Sequence, residues 1–67
     1  MKKHETSPER IAAILAKPTM SVDELSEVLA IGRGQAYAFV REGKIKTLKV
    51  GSRILIPTSA VRDMLGI

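Results

Sequence analysis

With 67 residues the chain has room for one domain and a thin core, which leaves little volume for an enclosed active site. Apolar residues make up 45% and the aromatics are Tyr37 and Phe39 alone, so aliphatic side chains must carry the packing; the absence of cysteine excludes a disulfide framework, and no run approaches the roughly 20 apolar residues of a membrane span. The net charge of +4 is concentrated: residues 33–53 hold Arg33, Arg41, Lys44, Lys46, Lys49 and Arg53 against Glu42 alone, a net +5, while the rest of the chain sums to −1. Such a block is the footprint of a phosphate-binding surface or of a merely solvated basic face, and its placement in the fold has to decide between them.

Residues 1–7 read as a flexible polar tail without the apolar core of a secretory signal, which points to a cytoplasmic protein. His4, the single histidine, lies there without partners at ligand spacing, so no metal is expected. Ser7, Pro8 and Glu9 form a helix start, with a hydroxyl to cap, a proline at the first helical position and an acid near the positive end of the dipole. Ile11, Ile14 and Leu15 then share a face, and Lys17 followed by Pro18 closes an amphipathic helix over 8–17, expected to pack on the domain.

Ser21 to Glu24 has the spacing of a capping box and opens a second helix. Val22, Leu25, Val28 and Leu29 form its apolar side, while Asp23, Glu24 and Glu27 cluster opposite, on a face that phosphates would repel. Ile31 and Gly32 leave room only for a tight connection, with Gly32 at the N-cap of a third helix. From Arg33 to Arg41 the positions Ala36, Phe39 and Val40 face the core. The opposite side presents Gly34, Ala38 and Arg41, flanked by Gln35 and Tyr37, with Arg33 at the amino end. Gly43 suits the left-handed residue that ends a helix, so residues 21–43 read as a helix-turn-helix.

After Gly43 the period becomes extended, giving a hairpin or wing over 44–57. Strands from Thr47 to Val50 and from Arg53 to Ile56 flank Gly51 and Ser52, a pair suited to a type II′ turn, and Pro57 closes the second strand. Ile54, Leu55 and Ile56 are too apolar for an exposed ribbon, so one hairpin face should pack on the helices. Thr58 or Ser59 then caps a last helix over 58–66, with Val61, Met64 and Leu65 on one face and Gly66 at its end. Residues 8–67 thus make a single domain, mainly α with a small β-hairpin.

Three pieces in order, Ser-Val-Asp-Glu-Leu-Ser-Glu-Val-Leu-Ala-Ile-Gly-Arg, Ala-Tyr-Ala-Phe-Val-Arg-Glu-Gly-Lys-Ile and Leu-Lys-Val-Gly-Ser-Arg-Ile-Leu-Ile-Pro, resemble the helix-turn-helix excisionase family, which shares its fold with the DNA-binding head of MerR-type regulators. The resemblance covers residues 20–65. It implies a winged helix-turn-helix, here with an extra N-terminal helix and a C-terminal helix. The second helix of the motif would lie in the major groove and the hairpin on the adjacent backbone or minor groove. Excisionases of this kind bind repeated sites near a recombination site, often side by side, bend the DNA and bias an integrase toward excision. Where Gly32 stands the family usually has serine or threonine, and where Gly34 and Ala38 stand it often has polar or basic residues. The groove face therefore holds few groups able to read base edges.

Base discrimination is accordingly expected from Arg33 and Gln35, helped by Arg41, while Gly34 and Ala38 allow close approach and Ala38 can meet a thymine methyl. Arg53, beside Ser52 at the hairpin turn, suits a minor groove or a phosphate; Lys44, Lys46 and Lys49 suit diffuse phosphate contact; and the Tyr37 hydroxyl suits a phosphate oxygen. Catalysis is not expected, because the domain has no cysteine or histidine and Gly32-Arg33-Gly34 lacks the lysine and spacing of a phosphate-cradling loop. Neither a cofactor, a small-molecule ligand nor a membrane is expected; the expected partners are double-stranded DNA, further copies of the chain and an integrase. A bare winged helix with no effector domain favours an excisionase. The alternatives are a small MerR-like transcriptional regulator, or a protein-interaction adaptor using the amino-terminal helix and the acidic face.

Overall fold

The computed structural model describes residues 7–67. His4 and all of the expected tail except Ser7 lie outside the described residues, and Ser7 itself is the cap of the first helix, its Oγ accepting from Arg10 N at 3.2 Å. That helix, α1 (Pro8–Leu15), is shorter than the expected span of 8–17, since Pro18 excludes helical geometry from the residue before it and Ala16 already forms the C-cap. A two-residue strand, β1 (Thr19–Met20), leads into α2 (Val22–Leu29). The capping box at the start of α2 is complete: Ser21 Oγ accepts from Glu24 N at 3.1 Å and Glu24 Oε1 accepts from Ser21 N at 2.9 Å. Ala30 ends α2 in the left-handed conformation, with φ of 57°.

Gly32 then occupies the N-cap of α3 (Arg33–Arg41), and Gly43, with φ of 73°, carries the chain out of it. The hairpin consists of β2 (Leu48–Val50) and β3 (Arg53–Pro57), paired Val50 to Arg53 and Leu48 to Leu55. At its turn Gly51 has φ of 62° while Ser52 keeps a negative φ, the pattern of a type II′ turn. The last helix, α4 (Thr58–Leu65), ends at Gly66 with φ of 75°.

The four helices surround a three-stranded antiparallel sheet of order β1-β3-β2, the architecture of a winged helix-turn-helix. Its third strand is absent from the sequence reading, which had a hairpin alone. Thr19 and Met20 pair with Pro57 and Ile56, a segment too short for any alternation of apolar and polar residues to betray it. The start of α4 also differs from expectation. Pro57, not Thr58 or Ser59, holds the N-cap position without a side-chain cap, and Thr58 lies inside the helix with its Oγ1 buried and unpartnered among the described residues. Its N–H is taken by Pro18 O at 3.0 Å, so the backbone of the α1–β1 connection replaces a capping hydroxyl.

The core is formed by Ile14, Met20, Val22, Leu25, Ala36, Ile45, Ile56 and Val61, one or two side chains from almost every element. Phe39 and Val40, expected as core, are half-buried against it. On the hairpin, Ile54 and Ile56 share the inward face with Lys49 at its margin, while Leu48 and Val50 lie on the other face and are exposed. On α4 only Ala60 and Val61 reach the core; Met64 and Leu65, expected on the same face as Val61, lie past the last buried position of the helix and are exposed. No helix of the described residues is long and apolar enough to cross a membrane.

Candidate nucleic-acid interface

The capped amino end of α2, the amino-terminal turns of α3 and the turn of the hairpin converge. Between them lies an open cleft of about 300 Å³ lined by Ser21, Val22, Asp23, Tyr37, Ser52, Arg53 and Ile54. Three expected DNA-binding residues, Tyr37, Ser52 and Arg53, come together on it from two elements. Ser21 and Asp23 belong to the same rim and were missed as site residues; the signal available for them was their place in the first turn of the first helix of the motif, where backbone N–H groups and the helix dipole favour an anion.

The basic side chains of residues 33–53 are all exposed. Lys44 approaches Glu42 at 3.8 Å, an exposed pair of little energetic weight, while Arg41, Lys46, Lys49 and Arg53 form no salt bridge among the described residues. Arg33 is held from one side: its Nε donates to Asp23 Oδ1 at 3.0 Å across the helix-turn-helix angle, with 72% of the arginine side chain still accessible. Gln35 is committed in part as well, since its Oε1 accepts from Gly32 N at 3.1 Å, the one half of a capping box that a glycine N-cap permits. Its amide donors remain for a partner. Beyond its chain neighbours and the backbone of its own helix, Gly34 has no heavy atom within 4 Å of where a Cβ would stand, so the surface there is open, and Ala38 is half-buried on the flank of the helix.

The three carboxylates of α2 are each engaged by a basic side chain. Glu24 and Glu27 turn toward the amino-terminal segment: Arg10 grips Glu27 with two hydrogen bonds, Nε to Oε1 at 2.9 Å and Nη2 to Oε2 at 3.0 Å, and Lys17 Nζ donates to Glu24 Oε2. The hydrogen bond from Arg10, aided by its charge and opposed by partial desolvation, holds the Glu27 carboxyl below the usual range. Partial burial pushes Glu24 up, but hydrogen bonds from Lys17 and the Ser21 N–H, with the charges of Lys17 and Arg10, outweigh it and leave its carboxyl lowered. Only Asp23 faces the basic surface. Among the described residues no group of His, Cys, Asp and Glu is placed to hold a metal ion.

Residues 19–66 match the family described as Helix-turn-helix domain, a span that begins at β1 and runs through Gly66, leaving α1 outside it. No curated protein and no solved structure matches the chain.

Proposed function

The chain belongs to the helix-turn-helix domain family, a DNA-binding family that includes excisionase-like proteins, and from that premise we propose that it is a sequence-specific architectural protein of the excisionase kind. In this reading it occupies repeated sites near an attachment site, side by side with further copies, bends the DNA and directs an integrase toward excision, with no catalysis of its own. The observation that carries the reading is the convergence of Tyr37, Ser52 and Arg53 on one cleft, beside Arg33 at the start of α3 and within a segment whose basic side chains are all exposed. A solvated face would scatter such charges over the molecule, whereas here they track α3 and the hairpin, the two elements a winged helix-turn-helix lays on a duplex. Small residues on the outer side of α3 let the helix backbone approach closely, and the exposed lysines supply affinity without sequence preference.

Binding measured against salt concentration tests the reading. With four to six of these cations on phosphates, affinity for duplex DNA falls on the order of 10² to 10³ between roughly 50 and 200 mM salt. A flat response removes the assignment of residues 33–53 to phosphate. Mobility of fragments carrying a selected site at different distances from their ends then separates an architectural role from simple repression, since an excisionase of this kind bends its site and a regulator that merely occupies it need not.

A further inference from the structure

Asp23 is the one carboxylate of α2 set against α3, and resting on the DNA-binding reading above, we propose that it is a positioning residue that makes Arg33 a reader of guanine instead of a clamp on phosphate. The guanidinium has two edges able to donate in pairs, one formed by Nε with an Nη and one formed by the two Nη groups. Asp23 Oδ1 takes Nε at 3.0 Å, and no hydrogen bond occupies either Nη among the described residues. The end-on edge, the geometry that fits guanine O6 and N7 bidentately, is therefore the one presented outward.

The pair also changes what Arg33 prefers. A phosphate carries a full negative charge and attracts a lone arginine wherever it meets one, so such an arginine adds affinity on every sequence. With the Asp23 carboxylate beside it the local net charge is close to zero, and a phosphate must approach both charges. Guanine offers neutral acceptors and loses far less from the presence of the carboxylate. Both side chains are more than half accessible, so the pairing adds little to folding and its effect falls on orientation and charge. Other acids of α2 cannot substitute, because Glu24 and Glu27 are engaged by Lys17 and Arg10 on the far side of the helix.

Selection from a randomised duplex library by the wild-type protein gives its base preferences, and the same selection with Asp23→Asn, Arg33→Ala and the double variant tests the assignment. Asparagine keeps the side-chain shape and suits a helix start, and thermal unfolding verifies that each variant is folded. The expected result for Asp23→Asn is a loss of about tenfold in preference at a guanine position, tighter binding to random DNA, and a salt slope steeper by about 1. In the Arg33→Ala background Asp23→Asn should change neither preference nor slope. Wild-type preference and slope in Asp23→Asn would overturn the role of Asp23 and leave the DNA-binding reading standing. Absence of salt-sensitive binding by the wild type would overturn both.

Discussion

Ala30 and Gly34 flank the turn between α2 and α3 with their conformational suitability exchanged. Ala30 sits at φ of 57°, a region that costs an L-residue with a Cβ about 1 kcal/mol, whereas Gly34 lies inside α3 with open space around it and contributes only backbone entropy to be lost. Ala30→Gly should therefore raise stability by about 0.5 to 1 kcal/mol, read as an upward shift of the denaturant midpoint at unchanged slope. Gly34→Ala should raise it by a similar roughly 0.5 to 1 kcal/mol through helix propensity and, if α3 docks as proposed, should at the same time weaken DNA binding by placing a methyl between helix backbone and groove. A Gly34→Ala protein that is more stable and binds as well as wild type would show that the approach there is not close. At this scale the sequence was informative where residue type and conformation agree. Gly43, Gly51 and the Ser21–Glu24 pair could be read directly, while the left-handed Ala30 and the unpartnered Thr58 hydroxyl could not, since each runs against the preference of its own residue type.

Among the elements, α1 is joined to the rest by charge as much as by packing. Ile14 reaches the core, but the outward attachment runs through Arg10 to Glu27, Lys17 to Glu24, and Arg62 Nη2 to Leu15 O at 2.9 Å. Both carboxyls are lowered by these contacts, so their folded-state pKa values lie beneath the unfolded ones. Their stabilising contribution is complete above the ordinary carboxylate value, about 4.3, and is lost as pH falls through the lowered folded-state values. The unfolding temperature should hold between pH 7 and 5 and fall below about 4.5. In Glu24→Gln,Glu27→Gln that fall should be shallower and the neutral-pH value lower, with the change localised to α1 by amide hydrogen exchange. The helices α1 and α2 were legible because each opens on a capping serine and carries several apolar positions at helical spacing, while α3 and α4 showed through their apolar spacing and the glycines that follow them. The partners of the acidic face were not, because an ion pair between residues seventeen positions apart has no local signature. The two residues of β1 left no periodic trace, for the same lack of length that hid them from pattern reading.

For the whole molecule, charge and topology divide the labour: six exposed cations lie along α3 and the wing, and the three acids of α2 are taken up by Arg10, Lys17 and Arg33. The basic half of that division was visible in composition alone, as was the order of elements that brings α3 beside a hairpin. The meeting of Ser21 and Asp23 with Tyr37 and Arg53 was not, since it depends on how α2 and β3 pack across the core. The pairing of β1 with β3 has one further consequence, a mechanical one. Thr19 pairs with Pro57 at the end of the ladder from which α1 and α4 depart, and Pro18 O with Thr58 N closes the fork. Tension applied between the two ends of the described chain thus bears on this fork and on the ion pairs that hold α1 to α2, and once those pairs part everything from Ser21 to Leu55 hangs slack inside the loop until the last bond of the fork opens. The fork acts as a fuse: a pull that strips α1 and α4 from the domain leaves the helix-turn-helix and its hairpin unloaded.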